Sequence, residues 1–423
     1  MSSTLQSKPV INKELGQWFS GAAAGLKEKA AALAAKASSD GMGWGVVAGL
    51  IVFAICLFVW LFRIRRVYET PGNIGRIVRA DTLASAGYDN AAQSRTGIRT
   101  YLQQLKASGV PDNHLCLTNF YISTVNAAGI YYPTVDGVAS PLAIRAAVDG
   151  GARAFVFDLW PDLTPGASYA PVVQIVESGS LWRRVSLNAI PFVTMLKTLV
   201  QQCYEISPNP GNEDPVILYL RFRGKPRQQT FTAVASALQS TIEQYRLSNA
   251  YNNCRSQDSV FSTPMVSLFR KVIVMSNIRA QGNILSDYIN VGPKDGIKME
   301  WATNDAKGLT VDGKADAVRK IQQNLSIVAP LSEDSAASDN KYDYQQSLDV
   351  GIHMVAMNFW NNNDKLKAYM DPKMFGKASY AIKPVPIRYI IEVLPPPKYP
   401  TNPNWGSGVT AGTPTPPAEI RLP

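Results

Sequence analysis

The stretch from Leu115 to Trp160 decides the fold. It opens L-C-L-T-N-F-Y-I-S-T-V-N-A-A-G (Leu115–Gly129), later runs through P-L-A-I-R-A-A-V-D-G-G (Pro141–Gly151) and closes A-R-A-F-V-F-D-L-W (Ala152–Trp160). Two apolar runs rich in aromatic and β-branched residues flank an amphipathic segment that ends in paired glycines. That order predicts strand, helix, strand, the unit from which parallel sheets are built. One carboxylate, Asp158, falls where the second strand ends, which in an α/β barrel is the face that carries chemistry.

Downstream of this unit the same alternation continues. Strands are expected at Pro171–Val176, Pro215–Arg223 and Lys271–Asn277, with helices at Ser186–Tyr204 and Gln228–Leu247 between them. The pattern then loosens into a polar insertion, 283–341, whose only clear strand signal is Leu325–Pro330. It resumes with Ile352–Trp360 and Ser379–Pro384. A strand count approaching eight favours a closed TIM-type (β/α) barrel over 114–393; a doubly wound open sheet is the alternative. Ala91–Ala107 places Ile98, Leu102 and Leu105 on one face and predicts a helix leading into the domain. Leu394–Pro423 carries 9 prolines in 30 residues, so the tail is extended, either a docking segment for a protein partner or a spacer.

Upstream, 1–42 is polar, with an Ala- and Lys-rich helix signal from Leu15 to Ser38 that suits a solvated helix or one lying on a membrane. Residues 43–62 hold 20 uncharged residues, with Trp44 and Trp60 near the ends. Such a segment predicts a single transmembrane helix. The juxtamembrane stretch 63–113 begins with Arg63, Arg65, Arg66, Arg76 and Arg79 against Glu69 alone, which puts the large C-terminal part in the cytosol or its topological equivalent. Four cysteines without paired spacing point to a reducing compartment, with neither a disulfide framework nor a zinc site. The balance of 42 basic against 32 acidic residues favours anionic partners. No P-loop, Ser-His-Asp arrangement or nucleic-acid motif is present.

Six ordered segments, the first two counted as one opening motif pair, resemble phosphoinositide-specific phospholipase C. F-Y-I-S-T-V-N and A-R-A-F-V-F-D-L-W are similar to the opening of that family's X half, F-I-S-S-H-N followed by C-V-E-L-D-x-W-D. Asp214–Arg221 resembles P-V-I-L-S-x-E, and Phe269–Asn277 the end of the X half. In the Y half, Asp349–Trp360 is similar to N-x-G-C-Q-M-V-A-L-N-F and Ser379–Arg388 to G-Y-V-L-K-P-x-x-L-R. The resemblance spans Leu115 to about Val393 and implies a distorted TIM-type barrel.

The resemblance also implies a chemistry: attack of the inositol 2-hydroxyl on phosphorus, served by two histidines and usually by a calcium ion on Asn, Glu, Asp and Glu. Here the first histidine position is Val125, beside a retained Asn126, and the first acidic position of the second motif is Val156, ahead of retained Asp158 and Trp160. The second histidine falls near Gln174–Glu177, yet the chain's two histidines are His114 and His353. Arg221 stands at a metal-binding Glu position. Valine carries no proton and a guanidinium repels a dication, so catalysis and the calcium site are expected to be lost, with no cofactor. His353 reads as a core or barrel-wall histidine.

Arg221 is expected to replace the metal by pairing with Asp158. Arg183, Arg184, Arg221, Arg223, Lys225 and Arg227 follow two strands and are expected at the barrel mouth, as a site for anionic phospholipid headgroups or as a solvated basic rim. The expected protein is therefore a single-span, catalytically inactive phospholipase C-like scaffold or headgroup binder; tethering of a viral internal membrane to a capsid would suit it. An active phosphodiesterase with an atypical site is the alternative.

Overall fold

The computed structural model describes residues 49–58, 95–131, 137–161, 170–177, 183–184, 186–206, 211–224, 226–251, 260–279, 282–293, 299–302, 325–329, 344–361, 363–371, 373–375 and 378–390, with single residues at 28, 321 and 340. The opening unit forms as its sequence dictates. Strand β1 (Phe120–Val125) and strand β2 (Ala154–Pro161) lie parallel, joined through helix α2 (Pro141–Asp149), while helix α1 (Ile98–Ala107) precedes them. Ser140 caps α2 by accepting from the Leu142 amide, with Pro141 in the first turn, and Gly150 and Gly151 end it.

The other strands of the sheet include β3 (Val216–Phe222), β4 (Val272–Ser276), β5 (Glu300–Ala302), β6 (Ile327–Ala329) and β7 (Met354–Met357), with β8 (Tyr380–Ile382) antiparallel to β1 and Pro171–Val173 antiparallel to β2. The seven parallel strands run in the order β4-β3-β2-β1-β7-β6-β5. The expected closed barrel is thus seen as a mixed sheet: among the described residues no hydrogen-bonded pair joins β4 to β5. The short strand β5 lies inside the polar insertion, where only β6 had a clear signal. The helix expected from Ser186 begins at Phe192, as α3 (Phe192–Val200), because Ile190–Pro191 pairs with Pro171–Val173.

Period-2 alternation sorts the strand residues into two layers. Phe155, Phe157, Leu218, Leu220 and Val274 pack outward against Phe192, Met195 and Leu196 of α3, Ile144 and Ala147 of α2, and Val234 and Leu238 of α4 (Gln228–Ile242). Phe120, Ile122, Val156, Ile217, Tyr219, Met275, Met354 and Ala356 face inward, and Ile98 and Leu102 of α1 plug that interior from the amino-terminal end. At this end Arg153 and Asp214 form a buried ion pair at 3.1 Å, and Asp214 also accepts from the Ile98 amide at 2.7 Å. The leading helix is therefore fastened by its first turn.

Residues 49–58 are helical and expose Leu50, Ile51, Val52, Phe53, Ile55 and Phe58. Both ends of the expected 43–62 span, the Lys-rich helix signal and the Pro-rich tail lie outside the described residues. Among the described residues no helix is long and apolar enough to cross a membrane.

His353 is fully buried just before β7, its Nδ1 accepting from the Ser326 amide (3.2 Å) and its Nε2 facing Thr118 Oγ1 at 3.0 Å. Only a neutral ring can accept at Nδ1. Burial, together with the nearby Lys383, holds the imidazole well below its ordinary value. A base depressed in the folded state contributes stability that is present above its unfolded value, about 6.5, and lost as pH falls below it. Unfolding free energy should therefore drop by up to about 1.4 kcal/mol per pH unit below pH 6.5 on this account, and His353→Gln should flatten the decline in urea melts at pH 7.5 and pH 5.

Gly151 (φ +85°) and Gly109 (φ +87°) share a left-handed backbone, but a Cβ at Gly151 would fall 1.5 Å from Arg95 Nη1, whereas nothing lies within 4 Å of one at Gly109. Alanine at Gly109 should cost about 1 kcal/mol of strain. Alanine at Gly151 should cost more by thermal unfolding, because Arg95 must also leave; equal losses would remove Arg95 from the account.

Candidate functional site

Strand register creates the site. In the β2–β3 ladder Asp158 lies opposite Arg221, two residues beyond the Val156–Tyr219 pair, and all four point inward. Arg221 is fully buried and grips Asp158 with both ends of one guanidinium edge, Nε to Oδ1 at 2.6 Å and Nη2 to Oδ2 at 2.9 Å. Its Nη1 reaches Glu300 Oε1 of β5 at 3.2 Å, and Nη2 lies 3.5 Å from Asn126 Oδ1. Asn126 is itself fixed by donating to Asn358 Oδ1 at 2.8 Å, and Tyr219 donates its hydroxyl to Glu300. Arg223, two residues on and on the same face, places Nε 2.8 Å from Asp158 Oδ1.

Charge pairing dominates the electrostatics. Burial by itself would raise the Asp158 carboxyl, but the two guanidiniums outweigh it and hold the group down at about 2. Arg221 is correspondingly raised despite its burial, by Asp158 and Glu300. Beside Asp158 a cavity of about 10 Å³ is lined by Ala127, Ala128, Ile130, Trp160, Val173, Gln174, Ile175 and Val176. It has room for about one water molecule.

The pairing expected between Arg221 and Asp158 is present, and Asn126 joins it. Val156 sits one pleat deeper on the same inner face. Val125 belongs to the outer cluster against the helices, because adjacent strand residues point to opposite faces. Among the basic residues expected at the mouth, Arg221 lies in the interior, paired with Asp158 and Glu300. Arg183 and Arg184 form a two-residue strand antiparallel to Val176–Glu177, Arg227 is exposed at the start of α4, and Lys225 lies outside the described residues. Glu300, Tyr219 and Asn358 went unread in the sequence. The Trp301-Ala302 pair after Glu300 was a weak strand signal, too short to stand against its polar surroundings.

No family model matches the chain, and no curated protein matches it. Solved structures do. PLC21 of L. pealei aligns at a TM-score of 0.52 and 16% identity, over 66% of this chain and 39% of that one. PLC21 of S. officinalis gives 0.53 and 15%, over 67% and 39%. The fold is that of the phosphoinositide-specific phospholipases C. This chain matches about two fifths of the length of each of those proteins, and at such identities the likeness is one of fold.

Within this phospholipase C-like domain the donors do not fit a calcium ion. Such an ion takes six to eight oxygens, whereas the Asp158 and Glu300 carboxylates turn to a guanidinium already seated between them. Among the described residues no group of three or more His, Cys, Asp or Glu side chains could hold a metal.

Asp158→Asn should cost about 3–5 kcal/mol in urea unfolding, since it strands the buried Arg221 charge; a loss under about 1 kcal/mol would mean that Arg221 finds other acceptors. Stability from Asp158 is complete above its unfolded value near 4 and is lost as pH falls toward about 2. The wild-type acid transition should thus have a limb in that window which Asp158→Asn lacks.

Proposed function

We propose that this protein is a membrane-tethered binder of anionic ligands that uses a phospholipase C-like domain without its hydrolytic chemistry. The observation that carries this is the Arg221 guanidinium, seated on Asp158 where the family resemblance implies a metal-binding acid. Hydrolysis needs a proton acceptor within reach of the attacking hydroxyl. His353 is buried ahead of β7 between Thr118 and Ser326, and His114 precedes β1 beside Arg388. Both histidines belong to the amino-terminal end of the sheet, opposite Asp158.

The apolar helix 49–58 lies within 20 uncharged residues followed by arginines, which supports a single-span tether with the domain on the positive side. Net charge of +10 and the arginines after β3 favour phosphate-bearing headgroups as ligands. A link between an internal membrane and a protein shell is a setting such an architecture suits.

Full-length protein should cosediment with vesicles containing phosphatidylinositol phosphates, with binding that weakens as salt rises. It should release no soluble inositol phosphate, with or without added calcium. Release that disappears in Asp158→Ala would overturn the proposal and establish an active phosphodiesterase.

A further inference from the structure

Exposed apolar side chains gather at one pole of this domain. Among the described residues outside the helix 49–58, five large apolar side chains stand in solvent: Ile206, Val266, Ile284, Val385 and Ile390. Ile284 follows β4, and the neighbouring Asn283 reaches the first residue of α4, so it belongs to the carboxyl-terminal end of the sheet. The other four lie at the amino-terminal end. Ile206 and Val266 precede β3 and β4. Val385 and Ile390 follow β8, whose antiparallel pairing sets its last residue, Ile382, opposite Phe120 at the start of β1.

Val266, Val385 and Ile390 share one frame, the turn 114–119. Asn119 Nδ2 donates to the His114 and Tyr389 carbonyls at 3.0 and 2.7 Å, and its Oδ1 accepts from the Tyr389 amide at 2.6 Å. On the other side Cys116 bridges to Pro264, and the Met265 amide donates to the Leu115 carbonyl at 2.9 Å. Val266 is 51% exposed and Val385 58%. Pro264, Pro384 and Pro386 are exposed beside them and present no amide to water. Cations edge the same rim: Arg270 is exposed, and Arg388 is half-buried between Lys383, whose carbonyl accepts from its Nε at 2.5 Å, and His114. Apolar side chains edged by guanidiniums match the chemistry of a lipid interface, hydrocarbon beneath anionic headgroups.

The route of the chain selects which surface this is. Helix α1 enters at this pole with its Ile98 amide fastened to Asp214, and residues 63–97 join it to the uncharged run 43–62. A tether holds the face nearest its attachment at raised effective concentration over the bilayer. This pole therefore meets the anchoring membrane ahead of the Asp158 end.

We propose that the amino-terminal pole of the domain docks on the membrane that anchors the chain, with Val266, Val385 and Ile390 entering the lipid interface and Arg270 and Arg388 meeting its anionic headgroups. The inference rests on the tether reading above and gives it an orientation. The Asp158 end points away from the anchoring bilayer, so a ligand there is met on an opposing surface.

The test uses full-length protein with Cys56 and Cys254 replaced by serine, reconstituted into vesicles of phosphatidylcholine and phosphatidylserine; the remaining Cys116 and Cys203 are buried. A fluorophore is attached through Val266→Cys, Val385→Cys or Ile284→Cys, all at exposed positions. Labels at Val266 and Val385 should lose emission to nitroxides carried on the lipid chains about 5–10 Å into the boundary between headgroups and acyl chains. The label at Ile284 should stay bright. Ile390→Glu should restore emission of the Val385 label with no change in melting temperature; should it fail to fold, Arg270→Gln, which removes a headgroup contact, should weaken the quenching in its place.

Quenching at Ile284 with none at Val266 or Val385 would overturn the proposal by putting the opposite pole on the lipid. A Val385 label shielded equally in detergent and in vesicles, and not quenched by lipid, would also overturn it, because the cover would then be protein, either residues 394–423 or a second copy of the chain. Protein that resists alkaline carbonate extraction yet shows no quenching at either pole would overturn the docking alone. Protein released by carbonate would overturn the tether reading and the docking together.

Discussion

Two adjacent parallel strands in fixed register put a carboxylate and a guanidinium side by side in the interior of this domain, and much else follows from that pair. Asp158 and Arg221 are each too costly to bury alone. Together, with Glu300 and Asn126 completing the guanidinium's hydrogen bonds, they form a closed network at the carboxyl ends of the strands. The network draws β5 toward β3, since the Glu300 carboxylate reaches Arg221 and Tyr219 across the sheet's interior. An inner layer that is apolar lower down, at Ile217, Val156 and Met354, thus gives way to an ionic cap.

The opposite end is secured separately. Arg153 and Asp214 pair beneath β2 and β3, and Asp214 also holds the first turn of α1. His353 and Lys383 are buried there with no carboxylate partner among the described residues: the imidazole lies between Thr118 and Ser326, and the ammonium nitrogen donates to the Gly351 carbonyl at 2.6 Å. The two poles therefore respond to acid for different reasons. The upper pole loses a carboxylate only at very low pH, whereas at the lower pole the buried imidazole stays neutral and acid favours the unfolded chain, whose imidazole binds protons where it ordinarily titrates.

Much of the sheet was legible in the chain because parallel strands buried on both faces read as continuous apolar runs. Phe120–Val125, Ala154–Pro161 and Val216–Phe222 announced themselves in that way, as did the capped helix after Ser140. The site was partly legible: a lone carboxylate ending one apolar strand and an arginine ending the next are visible as letters. Glu300 was not, because three strand residues inside a polar insertion lack a periodic signal, and their place is set by pairing with β6. Val125 looked like a pocket residue because it neighbours Asn126, but alternation turns it outward to the helices. Arg221 reads both as a partner for Asp158 and as one of six basic residues at the mouth, and its full burial against Asp158 and Glu300 favours the first reading.

The sequence by itself determined the order of strands and helices, the uncharged run 43–62 and the absence of a histidine from the expected positions, since these depend on residue type and local periodicity. Tertiary structure decided which charges meet. Whether an arginine is a ligand-binding group or a buried counter-ion depends on distances across strands far apart in the chain: Arg221 lies 63 residues from Asp158 and 79 from Glu300. Arg223 was one basic residue among six in the sequence, and only the fold shows that it shares Asp158 with Arg221.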